Sequence, residues 1–520
     1  MTSWSSCVTT RTPGSGGPDY DVIVVGAGMG GLSAATHLAV NGMKVLVLEQ
    51  HHNIGGLASS FKRGDFLFDV ALHEMSLGAG DGSLLESMRL AGIDDRVELI
   101  RIPELGRAVY PDFEFELTGD YEEAIDSMCR QWPDECGSIE KFHKLMRTIH
   151  DEIIELRDHY RSAPITAAIV RLTVPLRQPN LFRYRDATVR DVLDEYFEDE
   201  QLKAAMSSFW FYYGPTPSRM YAATYLLARY SYMKAGAWQV KGSSQALADA
   251  YRDRILEMGG EVRTNTLVTA INVDDGEVLG VTTAEGEVIR SRYVVSNADP
   301  YQTFLKLVGR DETPEDTLEL LAEMKPSNSL VGVYLGLDVD ASEKWGIDDY
   351  EVFYNTSTDA DAMYEAMMEG RWRDGAVSLT FYSNLDHETY APPGKSVLVL
   401  NSYSEMEYWP EPGEEYERAK QDMVDQLLDL AENVVPGLRD HIEVIEPMTP
   451  RTIQSFTLQH DGVPYGWAAT PDQKMRMPNN TGIDGLFLAG SWTLPFHGVS
   501  VAQISGHKAA RLILDEEDID

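Results

Sequence analysis

Apolar and polar positions along the chain divide it into alternating strand-like and helix-like stretches. Residues 20–25 are a short apolar run rich in β-branched side chains, with no polar face, which predicts a central parallel strand buried on both sides. Residues 30–41, rich in Ala and Leu and free of Pro, predict a helix ended by Gly42 in the C′ position, and residues 44–48 predict a second buried strand. Gly64-Asp65 reads as the turn of a short hairpin, and residues 107–117 alternate as one strand. Between 121 and 160 apolar residues recur at helical spacing: Ile139, Phe142, Leu145, Met146, Ile149, Ile153 and Leu156.

Strand patterns return at 261–263, 268–273, 277–283, 287–289 and 293–296, with turns at Asp275-Gly276 and Glu285-Gly286. Helices are predicted near 313–324 and 414–431, with strand-like runs at 329–337, 376–383 and 396–403 between them. A last strand ends at Gly490, and the final helix opens after Pro495 and runs to Leu514. These elements predict an α/β fold: a discontinuous Rossmann-type dinucleotide domain at 19–100, 236–300 and 446–520, with an inserted mixed α+β substrate domain at 101–235 and 301–445. Residues 1–18 are expected to form a disordered lead.

The candidate chemistry starts where the first strand ends. Gly26, Gly28 and Gly31 spell G-x-G-x-x-G: the first permits the tight turn, the second lets backbone approach a pyrophosphate, and the third lets the helix pack on the strand. Glu49 ends the second strand about twenty residues on, where a carboxylate accepts from a ribose hydroxyl and would repel the 2′-phosphate of NADP. A second glycine pair, Gly55-Gly56, permits another close backbone approach and resembles the segment that follows the first βαβ unit in many FAD-dependent oxidases and desaturases, a resemblance that favours FAD over NAD. At the other end, Gly490 and Ser491 close a strand, and the backbone N–H groups of Gly498 and Val499 open a helix able to stabilise negative charge on a reduced flavin.

Other residues bear on a substrate. His73 and Glu74 follow a strand beside the nucleotide unit, either as a titratable pair facing the substrate or as a hinge pair bonded to backbone. Trp210, Tyr212, Tyr213 and Trp238 belong to an aromatic cluster that either lines a tunnel for a flat apolar ligand or forms ordinary core. Residues 163–179, apolar and flanked by Arg171 and Arg177, fit peripheral membrane contact or a core helix followed by a loop.

Composition narrows the partners. A formal charge of −39, from 83 acidic and 44 basic residues, argues against nucleic acid. It also suggests a surface kept soluble by hydrated carboxylates in high salt. Cys7, Cys129 and Cys136 have no paired spacing, so neither a disulfide framework nor a metal site is expected. No secretory leader or long apolar span is evident, which suggests a cytoplasmic protein, in contact with the inner face of the membrane if 163–179 docks there.

With GAGMGGLSAA, LEQ and the following GG, the central GAWQVKGSSQALADA, and the closing DGLFLAGSWTLPFHGV in view, the chain resembles the phytoene desaturase, carotenoid isomerase and retinol saturase family. The resemblance implies FAD and a long apolar polyene as substrate. It also implies ribose at Glu49, pyrophosphate at Gly26, Gly28 and Gly31, the flavin side at Gly55 and Gly56, adenine at the Val268 backbone, and isoalloxazine near Gly490 and Val499. The chain departs from relatives at Asn53-Ile54, where a basic residue is common, and at Phe496-His497-Gly498, where a glycine-rich run is common. His497 is then a candidate acid or base near the flavin, or a structural hydrogen-bonding residue. Three other functions remain open: a flavin amine oxidase, an unsaturated fatty acyl oxidoreductase, and a non-catalytic lipid-binding protein that keeps flavin for structure. The electron partner is not readable.

Overall fold

A computed structural model describes residues 17–77, 82–161, 174–474, 476–493 and 498–519. His497, the lead up to residue 16 and residues 163–173 of the membrane-contact stretch lie outside them.

The first sheet has seven strands. Its parallel centre places β1 (Tyr20–Val25) between β2 (Val45–Leu48) and the strand Val288–Ser296, with Glu261–Arg263 beyond β2 and Leu486–Leu488 beside the end of Val288–Ser296. Every residue of β2 is buried, as are the last four of β1, which is why both read as uninterrupted apolar runs. Val268–Asp274 and Glu277–Thr283 extend the sheet as an antiparallel meander. The pair of runs expected at 287–289 and 293–296 is one continuous strand.

The first helix, α1 (Met29–Val40), is buried at every residue except Val40. It packs on the closing helix Val499–Glu516 so tightly that a Cβ at Gly506 would overlap the Gly30 carbonyl. Ser33 donates to the Gln503 carbonyl at 2.7 Å, and His37 stacks on His507 with ring centroids 4.1 Å apart. The two ends of the chain are therefore joined in one layer against the sheet.

The second sheet also has seven strands, in the order Ile442–Met448, Ser329–Leu337, Ser396–Ser404, Ala376–Thr380, Glu351–Asn355, Gly106–Val109, Glu114–Leu117. The strand expected over 107–117 is a hairpin of the last two. The boundary expected at 445/446 falls inside Ile442–Met448, which pairs with Ser329–Leu337 and so belongs to this second sheet. Both Ser329–Leu337 and Ser396–Ser404 are buried throughout, because helices cover one face and the nucleotide unit faces the other.

Helices Tyr121–Gln131, Cys136–Arg161 and Ala222–Ala235 pack on one another and share one hydrophobic core with this sheet. Asp120 caps the first of them, accepting from the backbone N–H groups of Glu122 and Glu123 at 3.0 Å. The expectation of no disulfide is corrected here: Cys129 and Cys136 are joined across the turn between two helices, their Cα atoms 4.7 Å apart. The end of one helix and the start of the next bring them within bonding reach, which bare spacing did not reveal. Among the described residues no helix is long and apolar enough to cross a membrane.

Candidate functional site

One cavity of about 1070 Å³ runs from the glycine turn of the first sheet to the inner face of the second. That lies at the upper end of what small-molecule sites enclose, enough for a dinucleotide and a second ligand.

At the nucleotide end the walls are backbone. Gly26 has φ +93°, a conformation that favours glycine. A Cβ on Gly28 would lie 2.5 Å from Asn297 Nδ2, and one on Gly30 would lie 2.6 Å from both Asn297 Oδ1 and the Gly490 nitrogen. Only a chain without side chains can pass there. Gly31 does not line the cavity; a Cβ there would overlap the Gly26 carbonyl, so it serves the close packing of helix on strand. Gly28 caps α1 without a side-chain hydrogen bond, leaving the first N–H groups of the helix directed at the cavity.

Glu49 is 8% exposed; its carboxylate accepts from the Ala27 N–H and the His51 N–H, both at 2.8 Å. Burial raises its pKa, and these backbone donors oppose the rise. Gly55 and Gly56 cross beside Gly28, with Gly28 and Gly55 bridged as in a parallel sheet. Val268, Gly490, Ser491, Gly498 and Val499 all line the same cavity. The glycine cradle, the acid at the end of β2 and the uncapped helix fit FAD; Glu49 would hold its ribose and the Gly28 turn its pyrophosphate.

Asn297 was not among the candidates, yet it stands against Gly28, Gly30 and Gly490 at once. The signal was its place directly after a parallel strand, the position at which such sheets bind ligands.

At the far end the walls are mainly aromatic and aliphatic: Phe61, Tyr212, Tyr213, Tyr232, Tyr334 and Met448 are among them. Tyr212 and Tyr213 therefore stand where expected, but Trp210 and Trp238 do not reach the cavity. Trp210 is 1% exposed and packs on Phe211 and Tyr403, while the Trp238 indole donates to the Ala235 carbonyl at 2.8 Å. Each side chain is turned into core by the element that carries it.

His73 and Glu74 both line the cavity. The Leu72 carbonyl accepts from Tyr382 OH at 3.0 Å and the His73 carbonyl from Tyr350 OH at 2.5 Å, which fixes the backbone there. Since Tyr382 OH donates to Leu72, its oxygen accepts from His73 Nδ1–H at 3.0 Å, and Asn401 Nδ2 then donates to Nε2 at 3.1 Å. Burial pushes the imidazole pKa down to about 4, so the ring is neutral at pH 7 with both nitrogens engaged. Thr380 Oγ1, 3.0 Å from His73 Nδ1, donates to Glu351 Oε1 at 3.2 Å, and Tyr212 OH donates to the other Glu351 oxygen.

Glu351, Thr380 and Asn401 carry no local sequence signal; they reach the site only because strands of the second sheet are paired. Asp69, fully buried, ties the parts together by accepting from Ser60 at 2.5 Å, Ser244 at 2.7 Å and Tyr390 at 2.7 Å.

A nucleotide cradle opening directly into an apolar chamber defines a flavin-dependent oxidoreductase. The chain belongs to the flavin containing amine oxidoreductase family, whose profile matches residues 29–514. It is an FAD-dependent oxidoreductase, as the glycine motifs implied. Among curated proteins it is similar to a chloroplastic prolycopene isomerase of Daucus carota, 27% identical over 95% of this chain and 80% of that protein. It is also similar to an all-trans-retinol 13,14-reductase of Danio rerio, 26% identical over 86% of this chain and 77% of that protein. These relatives bear out the resemblance read from the motifs. Among solved structures, an oxidoreductase from Methanosarcina mazei matches with TM-score 0.66 and 16% identity, covering 94% of this chain and 100% of that one. A putrescine oxidase bound to putrescine matches with TM-score 0.62 and 14% identity, covering 95% and 99%. At these identities the structures bear on the fold alone.

Proposed function

We propose that this protein acts on a long apolar polyene, as a carotenoid desaturase, isomerase or saturase. The observation that carries the reading is the continuity of the FAD cradle with a chamber walled by tyrosine rings and aliphatic side chains. Bound FAD supplies hydrogen transfer at its N5. The protein binds and orients the apolar chain against the rings of Tyr212, Tyr213, Tyr232 and Tyr334, excludes water, and holds the neighbouring polar groups uncharged. The names of the two curated relatives agree with a polyene or retinoid ligand.

A second reading, oxidation of a small amine, is favoured by one feature: the Glu74 carboxyl at the wall has no hydrogen-bond partner of ordinary geometry among the described residues and offers a counter-charge to an ammonium.

The test is an absorption spectrum of purified protein in high salt, then organic extraction and mass analysis of co-purifying lipid, then anaerobic titration with a linear carotene and with a diamine. Co-purifying polyene, or a carotene band shifted by the protein, supports the first reading. Flavin reduced by the diamine with no carotene binding replaces it with the second.

A further inference from the structure

The cavity wall contains a buried acid that holding FAD and an apolar chain does not require. Glu74 is 8% exposed, lines the cavity, and neither carboxyl oxygen has a hydrogen-bond partner of ordinary geometry among the described residues, Tyr232 being the nearby hydroxyl. Three chain segments bring groups near it: Arg229 and Tyr232 from helix Ala222–Ala235, Glu351 from strand Glu351–Asn355 with Tyr350 just before it, and Tyr212 and Tyr213 from the turn that follows Ser207.

Burial and hydrogen bonding decide how the two acids divide. Arg229 is 4% exposed, with its guanidinium over the Phe209 ring at 4.2 Å, and of the two acids it is Glu74 on which its charge acts. A buried carboxylate without an ion-pair partner is costly, so burial holds protons on these acids at neutral pH. Glu351 accepts from Tyr212 and Thr380 and is the first of the two to ionise as pH rises, whereas Glu74 has no such donors and keeps its proton longer.

We propose that Glu74 is a catalytic acid–base residue that isomerises a polyene double bond by reversible protonation. The proposal rests on the polyene reading above. The proton of the Glu74 carboxylic acid adds to one carbon of a conjugated double bond, whose π pair becomes the new C–H bond, leaving a cation delocalised along the chain. The former double bond rotates as a single bond, and loss of a proton to the Glu74 carboxylate restores the double bond in the other geometry. Nothing is oxidised or reduced and the acid is regenerated. Arg229 stabilises the carboxylate formed in the first step, and the tyrosine faces stabilise the cation. Burial and the neighbouring Glu351 hold the Glu74 pKa well above the usual carboxylate range, so the acid form persists at neutral pH.

The experiment uses the FAD-loaded full chain with a poly-cis linear carotene in detergent, in D2O. Wild type is expected to yield the trans carotene with deuterium on chain carbons, and to show an infrared carboxylic acid band at pH 7. Glu74→Gln is expected to keep FAD and shift the carotene band as wild type does, lose that infrared band, and isomerise about 100-fold more slowly or worse. Glu351→Gln, a second variant, removes a positioning residue whose charge raises the Glu74 pKa; the pH at which the infrared band disappears should fall with it, and the alkaline limb of the rate should move down with the band. Undiminished isomerisation by Glu74→Gln, or trans product without deuterium, overturns the role of Glu74 while leaving the polyene reading intact. Wild type that binds no carotene overturns both.

Discussion

At the scale of single residues, the site depends on which side chains are absent as much as on which are present. Gly28→Val would drive side-chain atoms into Asn297, whose amide nitrogen stands 2.5 Å from a mere Cβ. Relieving such overpacking costs about 1–3 kcal/mol, so FAD affinity should fall by about 10- to 100-fold, measurable as flavin lost on gel filtration. Wild-type flavin content in that variant would remove the pyrophosphate assignment.

Titration of the buried groups has opposite signs. The folded pKa of Glu351 is raised to about 8, so the folded state holds a proton that the unfolded chain releases. Its contribution to stability is complete below pH ~4.5 and is lost as pH rises through about 8. The folded pKa values of His73 and His143 are lowered to about 4, so their contribution is complete above pH ~6.5 and is lost as pH falls toward 4. Glu351→Gln should therefore flatten the alkaline decline in Tm, by an amount equivalent to roughly a few kcal/mol, and leave the acid decline in place. An alkaline slope unchanged by the substitution would show that Glu351 is ionised from low pH.

At the scale of elements, what could be read locally and what could not follow from chain distance. The unit of β1, α1 and β2 was legible almost to the residue, because its glycine turn, helix and ribose acid lie within about thirty residues and each constrains the next. The meander and the two-helix face around 121–160 were legible for the same reason. The hairpin Gly106–Val109 and Glu114–Leu117 was read as a single strand, since alternation continues through a tight turn. Trp210 and Trp238 were read as cavity lining because composition reports aromatic density and not the direction in which a side chain points.

The contact between α1 and the closing helix joins segments more than 450 residues apart, as the Ser33 to Gln503 bond shows. Gly506→Leu should force these helices apart where the Gly30 carbonyl now sits, destabilising the fold by about 1–3 kcal/mol and weakening FAD retention together with it. Thermal unfolding followed by circular dichroism and by flavin fluorescence should then report a lower and coincident transition. A stable variant that retains flavin would mean the two helices can slide without opening the cradle.

For the molecule as a whole, charge is the dominant long-range term. With 83 acidic against 44 basic residues, self-repulsion outweighs the many exposed ion pairs, each worth little. Tm is therefore expected to rise as KCl is raised from salt-free buffer into the molar range, since screening removes repulsion faster than it weakens those pairs. A flat or falling Tm would show that the acidic surface carries no salt requirement.

The sequence by itself determined the nucleotide unit, the FAD cofactor and an inserted domain of mixed strands and helices, because strand and helix periods and glycine turns are written in neighbouring residues. Tertiary structure alone decided the wall of the chamber. His73 meets Thr380, Tyr382 and Asn401 across separations of 307, 309 and 328 residues, and Glu49 lies in the same cavity as Met448. Those meetings follow from strand register in the second sheet and from its packing on the first, and hydrogen-bonded pairing between distant strands leaves no periodic trace in the chain that forms it.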